Sequence, residues 1–374
     1  MFSAEVFIKK ALDKRLEENS LRSLRTETNL IDFASNDYLG FAKSIFISDQ
    51  ANQLLTIRRL QNNNGATGSR LLSGNSAFTE EIEKQIAKTH LFESALLFNS
   101  GYDANVGIFS SIPQRNDTII YDELIHASVR DGMRLSFAKS YSFLHNNVQS
   151  LEEELKKASG TIFVAVESVY SMDGDIAPLI EIAALCEKYK ANLIVDEAHA
   201  IGVFEYGLVN KYQLEEKVFL NLYTYGKAMG SHGAAVCCSN LTRQFLVNFA
   251  RSFIYTTALP AHSVAVITSA YEQLKNSETE IEKLHQNISY FQTLAQQNKL
   301  NVLKSTSTIQ SIIIPGVENV KKVSEKLIAE GFDVRPILSP TVKKGTERLR
   351  ICLHSYNTKN EIENLIKVVS TCIQ

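Results

Sequence analysis

Six short apolar runs, separated mostly by longer amphipathic stretches, constrain this chain more than any other feature of its sequence. They are SALLFN (94–99), DTIIY (117–121), GTIFVAVE (160–167), ANLIVD (191–196), KVFLNLYT (217–224) and GAAVCCS (233–239). Several are apolar almost throughout, the pattern of strands buried on both faces of a sheet. Strands alternating with helical periods fold as α/β layers around a mostly parallel sheet. PLIEIAALCEKYK (178–190) is the strongest helix signal, with Pro178 placed for a first turn and lysines near its end.

After about residue 250 the pattern changes. Two long amphipathic stretches (about 260–298) precede a strand-like QSIIIPG (310–316), a helical VENVKKVSEKLIAEG (317–331), RLRICL (348–353) and a last helix. The expected organisation is a helical arm with a short strand over 1–40, a large domain over 41–250 and a smaller α+β domain over 251–374.

Composition removes several classes of function. A net charge of −2 supplies no basic field for nucleic acid and no cationic face for a membrane. No apolar run approaches the roughly 18 residues of a spanning helix. The first 25 residues are charged throughout, without the apolar core of a signal peptide, and their acidic residues argue against an organellar presequence. Five scattered cysteines show no metal-ligand spacing and read as reduced thiols. The expectation is a cytoplasmic protein that needs no metal.

Three segments carry chemistry: VDEAHAIG with Asp196 and His199, TYGKAMGSHGAAV around Lys227, and SGYDAN (100–105). Asp196 ends an apolar strand, at the carboxyl edge where open α/β sheets bind ligands. A carboxylate there can pair with a protonated pyridine nitrogen, which suits pyridoxal 5′-phosphate (PLP). A strand-end aspartate alone is more often a turn cap. Lys227, after the next strand and between Gly226 and Gly230, offers an amine that can form an imine with an aldehyde. Strand–Asp-x-x-His followed by strand–Thr-x-x-Lys is far more specific than either half, and it places Thr224 to reach a phosphate. Ser100-Gly101-Tyr102 opens a helix after a strand, an arrangement whose backbone N–H groups bind anions. His126, in YDELIHAS, is a candidate to stack on the ring.

Other readings fail on missing parts. The string DEAH lacks an upstream G-x-x-x-x-G-K-[ST] loop. GATGSR (65–70) does not match G-x-G-x-x-G, and no G-x-S-x-G elbow occurs. A catalytically silent scaffold of the same fold is the remaining non-enzyme alternative, disfavoured because the lysine, the aspartate and both histidines are all present.

The chain resembles the α-oxoamine synthases, PLP enzymes that condense an amino acid with an acyl thioester and release CO2. The matching segments span nearly the whole chain: FASNDYLG (33–40), GATGSRLLSGN (65–75), LLFNSGYDAN (96–105), HASVRDGMRLS (126–136), ESVYSMDGDIAPL (167–179), VDEAHAIGVF (195–204), TYGKAMGSHGAAV (224–236), FIYTTALP (253–260) and GTERLRICL (345–353). The resemblance implies the aspartate-aminotransferase fold type and a homodimer. RLLSGN, FARSFIYTTALPA and VRPILSPTVKKGTERLRICL are most similar to the branch that joins L-alanine to a pimeloyl thioester, on CoA or acyl carrier protein. Branches using glycine with acetyl-CoA, or serine with a long-chain acyl-CoA, are the alternatives.

Roles follow by position. Lys227 matches the lysine that holds the cofactor, Asp196 the partner of the pyridine nitrogen, and His199 with Ser171 the partners of the ring hydroxyl. His126 matches the stacking histidine. Gly101, Tyr102 and Thr224 match phosphate-site positions, and Thr257, or Thr256, a phosphate contact made across a dimer interface. Asn36 and Arg350 match the groups that hold the amino-acid carboxylate, with Arg348 expected on the opposite face of its strand. Arg22 matches a position near the acyl-donor entrance. The chain departs from the family in a shorter stretch before LIDFAS, and in EYGLVNKY where a Gly-Arg-Gly type turn is usual.

Overall fold

The computed structural model describes residues 2–24, 26 and 29–373. Among them the strands are, in chain order, β1 (Ile31–Asp32), β2 (Ser94–Phe98), β3 (Thr118–Asp122), β4 (Lys139–Phe143), β5 (Ile162–Glu167), β6 (Asn192–Asp196), β7 (Leu220–Thr224), β8 (Ala234–Cys238), β9 (Ile309–Ile313), β10 (Phe332–Asp333), β11 (Arg335–Ile337) and β12 (Arg348–Cys352).

The chain divides into two compact units. Asn36–Ser171 with Asp175–His285 form the larger; the segment up to Ser35, with Met172–Gly174 and Gln286–Gln374, forms the smaller. These limits differ from those expected at 40 and 250, for reasons of pairing and packing. β1 pairs in parallel with β10, which draws the N-terminal segment to the C-terminal one. Helix Ala261–Leu274 packs on helix Ile45–Ile57, which keeps residues 251–285 with the larger unit.

The larger unit is built on a seven-stranded sheet of order β2-β8-β7-β6-β5-β3-β4. β8 runs antiparallel to both neighbours and every other pairing is parallel. Phe163, Ile194, Leu222 and Val236 point from one face into a core that also holds Ile108, Phe109 and Val129 of the covering helices. Val164, Val195, Tyr223 and Cys237 alternate with them and are equally buried. Burial on both faces is why these runs read as continuously apolar rather than alternating. β4 escaped the sequence reading because its residues, KSYSF, are mostly polar and exposed at the sheet edge. KVFLNLYT becomes a strand only from Leu220, Lys217 being the last residue of a short 3-10 turn (Glu215–Lys217). Pro178 caps helix Leu179–Tyr189 from just outside its first turn.

In the smaller unit β11, β12 and β9 form an antiparallel sheet. Here the expectation for Arg348 is corrected. Side chains alternate with a period of two, so residues two apart share a face, and Arg348 and Arg350 do not lie on opposite sides. What separates them is their partners. Arg348 forms an ion pair with Asp173, whereas Arg350 Nη1 lies 2.9 Å from Cys352 Sγ. Arg22 is exposed, with Nη2 3.4 Å from Thr341 Oγ1. The shortened stretch before β1 includes residues 25, 27 and 28, which lie outside the described residues.

None of the five cysteines forms a disulfide, and Cys237 and Cys238 are core residues of β8. Among the described residues, no helix is long and apolar enough to cross a membrane.

Candidate active site

The strand register gathers the chemistry of the larger unit on one edge of its sheet. Asp196 closes β6 opposite Glu167 of β5, and Thr224 closes β7 opposite Ala234, which in turn faces Phe98 at the end of β2. The turns that follow these ends carry Ser100-Gly101, His199 and Lys227. His126 follows the end of β3, at the start of helix Ala127–Leu135.

Asp196 is buried and its carboxylate is fixed by two donors. Oδ1 accepts the N–H of Ala198 at 3.0 Å, and Oδ2 accepts Asn105 Nδ2 at 2.9 Å. Asn105 lies on helix Gly101–Ser111 and is itself buried. Its second amide hydrogen is within reach of Ser128 Oγ at 3.0 Å, and that hydroxyl lies 2.8 Å from His126 Nδ1. One chain of hydrogen bonds therefore runs from the aspartate to the imidazole. His126 Nδ1 also accepts the N–H of Ser128 at 3.2 Å, so a protonated Nδ1 would lose that bond. Burial of its inner side holds the His126 pKa below the ordinary value, Asp196 opposes this, and the charge of Lys227 adds to it. The imidazole is thus neutral at physiological pH and suited to lie against an aromatic ring.

His199 is buried, with Nδ1 2.8 Å from the hydroxyl of Tyr38, and that hydroxyl also reaches Asn36 Oδ1 at 3.0 Å. Tyr38 therefore links two of the expected site residues. Ser171 is half-buried, just beyond the bridge that pairs Val169 with Ile176. Lys227 is half-buried, and its charge acts on both His126 and Glu167.

Ser100 caps helix Gly101–Ser111, its Oγ accepting the N–H of Asp103 at 3.1 Å. The N–H groups of the first turn have no acceptor within their own helix, so those of Gly101 and Tyr102 can turn to a ligand. A Cβ placed on Gly101 would sit 2.3 Å from Thr224 Oγ1, so only glycine lets this helix start close on the threonine hydroxyl. Helix N–H groups beside a hydroxyl make an anion cradle. The Tyr102 side chain points elsewhere, its hydroxyl donating to Asp131 Oδ2 at 2.6 Å. Asn99 Nδ2 anchors the next loop, reaching Thr256 Oγ1 at 2.9 Å and the Thr257 carbonyl at 2.8 Å, while Thr257 itself is exposed. Arg22 and Arg350 belong to the smaller unit.

Residues that the sequence reading passed over complete the site. Asn105, Ser128 and Tyr38 are common residue types whose role appears only in their contacts. Glu167 is buried beside Asp196, with Oε1 lacking any partner. Glu197 could have been suspected, as the E of DEAH. It points away into the protein and accepts the N–H groups of Leu208 at 2.8 Å and Val209 at 2.9 Å. Burial pushes its pKa up to about 7 against those bonds. Those bonds hold the turn that replaces the usual Gly-Arg-Gly. A Cβ on Gly207 would lie 2.2 Å from Glu197 Oε2 at a φ of +111°, so this turn needs glycine.

The family model described as aminotransferase class I and II matches residues 28–369. The chain is 40% identical to an 8-amino-7-oxononanoate synthase of Emericella nidulans, over 98% of this chain and 95% of that one. It is 34% identical to the synthase of Lysinibacillus sphaericus, over 90% of this chain and 87% of that one. Among solved structures, the 8-amino-7-oxononanoate synthase of Francisella tularensis matches with a TM-score of 0.80 and 28% identity, covering 93% of this chain and 98% of that one. Serine palmitoyltransferase from S. paucimobilis matches with a TM-score of 0.90 at 23% identity, covering 100% and 98%, a likeness of fold.

Proposed function

This chain belongs to the aminotransferase class I and II family, and on that footing we propose that it condenses L-alanine with a pimeloyl thioester, yielding 8-amino-7-oxononanoate, CO2 and free thiol. The observation that carries this reading is 40% identity to such a synthase over nearly the full length of both chains. The thioester would be carried by CoA or acyl carrier protein. Cysteines outside any disulfide suit a reducing compartment, and a cytoplasmic location is part of the proposal.

The cofactor is PLP, and the residues fit it. The Gly101–Thr224 cradle would be filled by a single Cβ, Asp196 presents a fixed carboxylate, and Ser231 Oγ, in the lysine loop, is buried without a partner. When bound, PLP supplies an aldehyde that condenses with amines and a pyridinium ring that accepts the electron pair left at Cα. Lys227 would hold that aldehyde, and with alanine bound its amine would remove the Cα proton as general base. Asp196 would keep a proton on the ring nitrogen, its carboxylate aimed by Asn105. His126 would lie against the ring, while His199 and Ser171 would hold its hydroxyl. Gly101, Tyr102 and Thr224 would hold the phosphate. By position in the family Arg350 is assigned to recognition of the alanine carboxylate, a task for which the planar guanidinium fork is suited, and Asn36 is assigned to the same substrate. Arg22 is assigned to the acyl-donor entrance.

The test is product analysis by mass with each amino acid and acyl thioester. We expect kcat/KM for alanine with pimeloyl-CoA to exceed that for glycine with acetyl-CoA by at least about tenfold, or about 1.4 kcal/mol. One methyl group in an apolar contact discriminates by only about 1–3 kcal/mol, so some glycine turnover is compatible with this reading. The reverse ranking would move the chain to the glycine-using branch.

The proposal includes a homodimer in which exposed Thr257 reaches the phosphate of the other copy. A side chain given across a two-fold axis makes each site depend on association. Light scattering should therefore find activity only in the dimer, and a fully active monomer would refute it.

A further inference from the structure

Glu167 has no part in the reaction as described above, yet its position is unusual. It ends β5 at the register of Asp196, so two carboxyl groups leave adjacent parallel strands on the same side of the sheet. It is almost fully buried, and Oε1 has neither a hydrogen-bond partner nor an ion pair. The backbone N–H of His126 faces its carboxyl. Asp196 takes the donors in this neighbourhood, from Asn105 and Ala198, and leaves Glu167 the poorer acceptor.

We propose that Glu167 is a further positioning residue: a neutral acid beside Asp196 that holds the backbone of His126 and leaves Lys227 facing a single carboxylate. The proposal rests on the PLP reading of the site.

Two buried carboxylates side by side do not both ionise at neutral pH, and the better-solvated partner keeps the charge. Asp196 has two donors whereas Glu167 Oε1 has none, so Glu167 is the carboxyl that takes up the proton. The charged and titratable groups that face Glu167 are Asp196 on β6, Lys227 after β7, His126 and Asp122 at the end of β3, and Tyr170 after β5. Burial raises its pKa to about 8, Asp196 and Asp122 push the same way, and Lys227 and the His126 N–H resist. Below that pH the site carries one negative charge opposite the lysine, and above it two. Loss of the Glu167 proton therefore raises the affinity of Lys227 for its own.

The test uses the wild type, Glu167→Gln and Glu167→Asp, each as cofactor-free and cofactor-loaded protein. In the cofactor-free wild type, infrared spectroscopy should show the carbonyl stretch of a buried protonated carboxylic acid at pH 7. That band should fade as pH rises through about 8, vanish in Glu167→Gln and titrate at a different pH in Glu167→Asp. In the loaded protein, Glu167→Gln should lower the pH midpoint of the cofactor's visible absorption by about half a unit or more, because the second negative charge can no longer form. A wild type with no such infrared band at pH 7, or a Glu167→Gln midpoint equal to wild type, would overturn the proposal. Failure to bind PLP at all would instead sink the reading beneath it, and the infrared result would stand apart.

Discussion

Lys227→Ala should lower turnover by at least about ten-thousandfold, or roughly 5.4 kcal/mol in the activation barrier. The lysine has two proposed tasks, holding the aldehyde and removing the Cα proton, and alanine removes both at once. The phosphate cradle of Gly101, Tyr102 and Thr224 and the carboxylate of Asp196 do not depend on it. The variant should therefore still bind PLP, noncovalently, and borohydride should no longer fix cofactor to the protein. The local electrostatics add a second signature. The charge of Lys227 opposes protonation of Glu167 and favours neutral His126. Removing it should raise both of their pKa values, a change that loss of folding would not mimic. A Lys227→Ala enzyme within tenfold of wild type, or one still labelled by borohydride at the same peptide, would show that another residue carries the chemistry.

Much of this was legible in the sequence because the α/β pattern is periodic and the site residues stand at strand ends. VDEAH and TYGKA place Asp196, His199, Thr224 and Lys227 on one sheet edge once strands are assigned, since parallel strands put equivalent ends together. The supporting residues were not legible. Asn105 and Ser128 lie on helices far from Asp196 in sequence, and nothing local distinguishes an asparagine that holds a carboxylate from one that faces water. Glu167 was hidden for the opposite reason: a glutamate ending an apolar run reads as the first solvated residue after a strand. β4 was missed because an exposed edge strand has no apolar run to find. The face of Arg348 was a different kind of miss, a slip in the two-residue period rather than missing information. The clamp around His145 was invisible too, because it joins three segments that share no local motif.

That clamp carries the second large expected effect, on stability. His145 Nδ1 lies 2.9 Å from Asp122 Oδ1, and Nε2 lies 2.7 Å from Asp175 Oδ2. Asp122, at the end of β3, is fully buried, and the ring of Tyr170 meets the imidazole edge-on. Burial alone would lower the histidine pKa, but the two carboxylates outweigh it and raise it to about 10. An unfolded histidine titrates near 6.5. A pKa raised in the folded state means stability that is complete below about 6.5 and is lost as pH climbs through about 10. The shift corresponds to roughly 3–4 kcal/mol after allowance for partial exposure, in line with the cost of breaking a buried ion pair. The melting temperature of wild type should therefore fall between pH 7 and 10. His145→Gln should melt roughly 4–6 °C lower at pH 7 and lose most of that alkaline decline. The comparison separates this histidine from the tyrosines and lysines that also titrate in alkali, because both proteins contain those groups. Parallel melting curves across the whole range would mean that the imidazole is not held as a cation between the two aspartates.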